Sequence, residues 1–255
     1  MAEKIDVLIV SPCSVPRQVQ IDNTLEAKQS AVGGHIEIVH PFADPQIALI
    51  VNEEGKLLGL EPNRAIKYPN GIKDIVVGSF IICRDAGEDF ASLTPQELIF
   101  YAGMFKSPEV LVRLGDDYHM MNPYTMGEKT YRVYQLKHGD EYRDIRFTGL
   151  DELKKAGQSV NPQNYDFVYS GALRGKSLDE LYQMFNFSHP SDFRGHSMSI
   201  SDVVVISDGK METAHYVDRV GFATLDKFTT PESPPAPRRP KRSKPPRKKG
   251  RGDAR

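Results

Sequence analysis

The densest group of side chains able to do chemistry lies between residues 189 and 218. His189-Pro-Ser-Asp192-Phe-Arg194-Gly-His196 runs on to Ser201-Asp202, and His215 and Asp218 follow within one further element. A hydrolase could draw from such a set a histidine as base, an aspartate to orient it and an arginine to meet developing negative charge. Asp192, Arg194, His196 and His215 are therefore the catalytic candidates, and two imidazoles with one carboxylate could equally hold a divalent cation. The competing reading is turn chemistry: Asp and Ser side chains bond nearby amides, and Gly195 admits dihedrals that other residues avoid. No spacing here matches a metalloprotease, kinase or nuclease signature, so no metal and no cofactor are expected.

Two other features could carry chemistry. Cys13 sits in Ser-Pro-Cys-Ser, directly after an apolar run, where a thiol could act as a nucleophile if a base or helix terminus activated it. No such partner is visible in the sequence, and with Cys83 as the only other cysteine, two isolated thiols are expected. Gly33-Gly34 reads as a helix stop, since no Gly-Lys-Ser/Thr follows to make a phosphate cradle.

Charge is the strongest physical signal. From Pro231 to Arg255 the chain has ten basic side chains against two acidic ones, a net of +8. The other 230 residues hold 23 basic and 32 acidic groups, a net of −9, which the whole-chain value of −1 conceals. The tail has seven prolines and nothing apolar larger than alanine, so it is expected to be disordered with polyproline II character. Arg238, Arg239, Lys241, Arg242, Lys244, Arg247, Lys248, Lys249 and Arg251 are the candidate nucleic-acid-binding residues. They would attract phosphates through counterion release without reading sequence, and the lack of interleaved aromatics argues against base stacking. An acidic protein surface, this chain's own body included, or solubility alone are the other roles open to the tail.

These residues must be positioned by short elements. Ile5–Val10, 17–21, 35–39, 46–52 and 75–83 read as strands, with a helix ending at Val32 and a hairpin turn at 53–56 leading into Leu57-Leu58. Thr94-Pro-Gln-Glu97 carries the start signals of a helix over 95–105, whereas 106–129 has little pattern. Strands at 131–136 and 165–169, helices at 150–156 and from Ser177 to Phe185, and a hairpin of 202–206 with 213–217 around Asp208-Gly209 complete the reading. The class expected is α+β: two small domains, mostly antiparallel, at 1–91 and 130–228, a helix and linker at 92–129, and the tail at 229–255.

Composition narrows the setting. The charged opening, Met-Ala-Glu-Lys-Ile-Asp, does not look like a secretory segment, and no apolar run approaches the roughly 20 residues that cross a bilayer. A cytoplasmic protein with no membrane association is expected, its oligomeric state left open.

Two longer stretches resemble known families. Residues from about 4 to 83, with Val32-Gly-Gly-His-Ile-Glu37 and 52–65 ending Asn63-Arg-Ala65, resemble the domain of unknown function DUF3846. Residues from about 129 to 228, with Thr130-Tyr-Arg-Val-Tyr-Gln-Leu136, Asp192-Phe-Arg-Gly-His-Ser197 and Ala214-His-Tyr-Val-Asp218, resemble the YodL-like domain. The resemblance implies a bacterial, cytoplasmic protein linked to conjugative or phage-like mobile elements of Firmicutes, and it transfers no active-site residue.

The leading expectation is a non-enzymatic accessory protein of such an element, whose tail anchors it to DNA or RNA. A host or element-encoded protein is the other partner class. A hydrolase or nuclease-like enzyme using the His/Asp/Arg cluster, and an anti-defence inhibitor acting through the acidic body, are the alternatives.

Overall fold

In the computed structural model, residues 3–71 and 73–228 are described. The tail residues from Arg238 to Arg251, and the whole segment from 229 onward, lie outside them.

The chain runs through β1 (Lys4–Val10), β2 (Arg17–Asp22), α1 (Leu25–Val32), β3 (Ile36–Val39), β4 (Ile47–Asn52), β5 (Pro62–Lys67), β6 (Lys73–Val77), β7 (Phe80–Asp85) and β8 (Phe90–Ala91). It continues with α2 (Pro95–Met104), β9 (Val110–Leu114), β10 (Asp117–Met121), β11 (Thr130–Leu136), α3 (Leu150–Lys155) and β12 (Tyr165–Ala172). Last come α4 (Leu178–Phe187), β13 (Val203–Ser207), β14 (Glu212–Val217) and β15 (Phe222–Leu225). Every strand pairing among the described residues is antiparallel, so the class is α+β as expected.

The first sheet has the order β2-β1-β7-β4-β3, with β8 paired to β7. Its central strands are apolar on both faces, which is why β1, β4 and β7 read as continuous aliphatic runs rather than alternating ones. Leu8, Leu49, Phe80 and Ile82 face Leu98, Tyr101 and Phe105 around α2. Val7, Ile50, Ile81 and Cys83 face α1 through Val32 on the other side. The helix that the sequence suggested at 95–105 thus packs into the first core. Its start is the expected capping box, Thr94 with Glu97.

Two expectations here need correction. The run 75–83 is not one strand: Gly78, with φ +68°, breaks it, and β6 pairs with β5 while β7 enters the main sheet. Leu57-Leu58 is not a strand either. The turn after Asn52 closes through the Leu58 and Leu60 amides onto Glu54 and Gly55; Leu57 and Leu58 stay exposed, whereas Leu60 is buried.

The second sheet has the order β12-β11-β13-β14-β15. Its two faces repeat the plan of the first, with α4 contributing Leu181 and Phe185 on one side and α3 contributing Leu150 and Leu153 on the other. In β12 the register slips between the partners of Val133 and Tyr134, leaving Val168 as the extra residue. Across that bulge Phe167 and Tyr169 pack against opposite cores. The hairpin of β13 and β14 closes at Asp208-Gly209 as the sequence suggested.

Candidate functional site

The segment from the end of α4 to the start of β13 holds most of the sequence candidates, and it is pinned by one side chain of β11. Gln135, 3 % exposed, donates through Nε2 to the His196 carbonyl (2.7 Å) and to Asp202 Oδ2 (3.1 Å). Its Oε1 accepts from the His196 amide (3.0 Å). A single carboxamide therefore satisfies both backbone groups of His196 and half of a buried carboxylate.

Asp202 is the most unusual group in this region. It is 1 % exposed, directly before the apolar strand β13. Oδ2 also accepts from the Ser199 amide (2.9 Å), whereas Oδ1 is buried and bonded to no protein group. Burial pushes its carboxyl up to about 8, against the opposing pull of the Ser199 amide and Gln135. His196 Nε2 stands 3.8 Å from Oδ1, beyond hydrogen-bond reach. His196 Nδ1 is 2.8 Å from the Ser197 carbonyl and 3.2 Å from Gln135 Nε2, so the tautomer of the ring is set by which of the two it engages.

These two groups line a cavity of about 430 Å3 together with Leu136, His138, Arg146 and Phe147. Two of its lining residues, Phe147 (φ +60°) and Ser201 (φ +85°), hold left-handed backbone that L-residues rarely adopt. Strain of this kind, next to a buried acid with a displaced pKa, is the physical pattern of a binding or reactive site.

Asp192 and Arg194 lie elsewhere, in a cavity of about 220 Å3 between the two sheets' units that Arg17, Phe167 and Ser170 also line. Arg194 donates through Nη2 to the carbonyl of Gly33, the left-handed cap of α1, and through Nη1 to the Ser191 carbonyl (2.9 Å). Asp192 is bonded by the Tyr169 hydroxyl, and burial raises its carboxyl. Arg17 lays its guanidinium 4.1 Å above the Phe167 ring. Ser170 Oγ donates to the Pro12 carbonyl, and Arg174 pairs with Glu61, so the two units are joined by polar ties as well as by packing of Cys13, Val110 and Ala172.

His215 joins neither group. It sits on β14 with Nε2 3.2 Å from Thr213 Oγ1. The four catalytic candidates are thus divided: Asp192 with Arg194, His196 with Asp202, and His215 apart. Asp218 accepts from the Leu150 amide at the start of α3. Cys13 is 2 % exposed, and its thiol is pushed up to about 12 by burial and by the nearby Glu61 carboxylate. No group of three or more His, Cys, Asp or Glu able to hold a metal occurs among the described residues.

Gln135, Arg146 and Phe147 were missed as site residues. Only Asp202 carried a signal, a carboxylate placed directly before a core strand.

Two α+β units with this topology, joined through the segment that contains Arg194, define a two-domain protein. Residues 5–106 match the family model of a domain of unknown function (DUF3846), and residues 130–228 match that of the YodL-like domain. The chain therefore carries a DUF3846 domain followed by a YodL-like domain. No curated protein and no solved structure matches it. No described helix is long and apolar enough to cross a membrane.

Proposed function

We propose that this protein is a non-enzymatic accessory protein of a bacterial mobile genetic element, acting in the cytoplasm, with two interaction domains held near nucleic acid by a cationic tail. The observation that carries the reading is the division of charge: 25 residues with a net of +8 follow a body with a net of −9. An acidic body repels polyphosphate, so any attraction must be concentrated in the tail. The use of the sequence candidates agrees with a binding role, since Arg194 ties the α1 cap and Asp218 accepts from an α3 amide.

Binding of duplex DNA or RNA, measured against salt, tests this for the full chain and for a truncation ending at Thr230. The full chain should lose affinity steeply with salt, on the order of a thousandfold between 50 and 200 mM if about six phosphates are neutralised. The truncation should bind at least tenfold more weakly with a flatter slope. Equal affinity and equal slope would overturn the tether.

A second reading, acid–base chemistry in the YodL-like domain, is favoured by His196 Nε2 facing the buried Asp202 carboxyl at 3.8 Å. Hydrolysis of an ester or phosphodiester that is abolished by His196→Ala would establish it in place of the first.

A further inference from the structure

We infer that the cavity between the two domains is a site for a small phosphate group, free or at the end of a compact phosphomonoester, gripped by the guanidinium of Arg17. The site is independent of the tail.

Arg17 is a cation without a counter-ion. It lies half-buried on β2 and lines a cavity of about 220 Å3 together with Phe167 and Ser170 of the second domain. No acidic group stands within ion-pair distance of it among the described residues, and Asp166 acts on it only from farther away. Of its three nitrogens only Nε is sealed from solvent; Nη1 and Nη2 keep accessible surface, and no protein group accepts from them. The Phe167 ring carries the guanidinium on its face, 4.1 Å from the ring centre. Such a stack offsets part of the cost of burying the charge while leaving the hydrogen-bond donors unspent.

The other charges of the cavity balance each other. Arg194 and Asp192 both line it and attract one another. Arg194 already spends Nη1 on the Ser191 carbonyl and Nη2 on that of Gly33, and Asp192 Oδ1 has no accessible surface. The uncompensated charge is that of Arg17, and it selects an anion. Two hydroxyls add donors. Ser11 Oγ accepts from Ser79 Oγ (3.0 Å), which frees the Ser11 proton for a ligand, and Ser30 is exposed on α1. A guanidinium fork takes two oxygens of one anion, so the hydroxyls call for further oxygens on the same group. A phosphate has them, whereas a carboxylate has only the two that the fork engages. The volume lies below the roughly 300–1,000 Å3 of drug-sized pockets, so the enclosed part of the ligand is small. Because Ser11, Arg17 and Ser30 face a wall built by β12 and the Asp192 loop, the site is complete only while the domains are docked, and a bound anion strengthens that docking.

Thermal unfolding of the full chain tests the site, since a ligand raises the melting temperature only where it prefers the folded state. The parent and its variants carry the same tail, so any attraction of the tail for phosphate is common to all of them. At constant ionic strength, about 10 mM phosphate should raise the melting temperature by roughly 3 °C or more, the shift given by a tenfold excess over Kd. Acetate should bind at least tenfold more weakly. Arg17→Gln should weaken phosphate binding at least tenfold. Arg17→Lys keeps the charge and a long stem over Phe167 but loses the fork, and should weaken it at least fivefold. A larger shift with glycerol phosphate than with inorganic phosphate would identify the ester as the ligand, and an equal or smaller one the free ion. Phosphate should also slow hydrogen exchange in β2 and β12 of the parent, which locates the site without any substitution. A phosphate shift in Arg17→Gln or Arg17→Lys equal to the parent's, an acetate shift as large as that of phosphate, or unchanged exchange in both strands would each overturn the inference.

Discussion

The amide of Phe147 donates to the hydroxyl of Ser201 at 3.4 Å, and these two residues are the ones that hold left-handed backbone on the rim of the Asp202 cavity. Residues far apart in sequence brace each other in conformations that neither would choose alone. The packing around β13 over-determines them: the Ser201 amide is bonded to the Val217 carbonyl (3.0 Å) and the Asp202 amide to Ser199 (3.0 Å).

Phe147 gives the direct test of that strain. Its ring is mostly exposed, so it contributes little to a core, whereas its φ of +60° costs on the order of 1 kcal/mol for an L-residue. Phe147→Gly should leave the stability unchanged or raise it by up to about 1 kcal/mol in urea unfolding. A loss above about 2 kcal/mol would mean that the ring packs in a way its exposure does not indicate.

Asp202 predicts a pH dependence with a definite sign. Its folded carboxyl is held at about 8, well above the unfolded value, so between about pH 4 and 8 the folded state keeps a proton that the unfolded chain has lost. Its contribution is full below the unfolded pKa and declines as pH rises toward 8, by at most about 1.4 kcal/mol per unit. Asp202→Asn lacks the titration. The melting temperature of the variant minus that of the parent should therefore grow from pH 5 to pH 8 and level off above it. A constant difference across that range would contradict the buried protonated state.

Much of the scaffold was legible in the sequence because local chemistry agrees with the fold. Thr94 with Glu97 and Ser177 with Glu180 form the capping boxes that their spacing indicates. The aliphatic run of β1 is a strand covered on both faces. The hairpin of β9 and β10 was not legible, since Arg113 to His119 alternates weakly and is mostly exposed. The split of 75–83 depended on one glycine at φ +68°. The candidate site was half visible. Asp202 and His196 stood in the polar cluster, but their separation from Asp192 and Arg194 follows from Gln135, a residue of a distant strand that no local pattern marks.

Arg64 offers a test of how the first domain is held together. It is 2 % exposed, and its guanidinium donates to the carbonyls of Asn63 (2.9 Å), Ser14 (2.7 Å) and Phe105 (2.9 Å), joining β5, the loop after β1 and the end of α2. Burial lowers its pKa to about 10, still far above neutrality, so it stays charged and its bonds are charge-assisted. Lysine has the charge but not the planar fork, and cannot reach three carbonyls that diverge in this way. Arg64→Lys should cost on the order of 2–4 kcal/mol in chemical denaturation. A loss below about 1 kcal/mol would show that the fork is dispensable.

One contact between the domains lies at Gly33, where the two family-like phrases Val32-Gly-Gly-His and Asp192-Phe-Arg-Gly meet. Gly33 ends α1 with φ +80°, and its carbonyl accepts from Arg194 Nη2. A Cβ there would stand 3.1 Å from Asp192 Cβ, tighter than ordinary contact, in a backbone conformation unfavourable to any side chain. Gly33→Ala should therefore combine about 1–2 kcal/mol of backbone strain with pressure on the opposing loop. Arg194→Ala keeps the helix cap and removes the tie across the interface together with the bonds to the Ser191 and Phe193 carbonyls of its own loop, so it should alter the first domain little. Hydrogen exchange separates the two effects. Arg194→Ala should raise exchange in 189–197 and at the end of α1 while β1, β4 and β7 stay protected, whereas Gly33→Ala should raise exchange through α1 as well. If Arg194→Ala left the protection of 189–197 unchanged, the loop would be held by Gln135 and by the packing of Phe193, and the Gly33 contact would be incidental to the docking of the two domains.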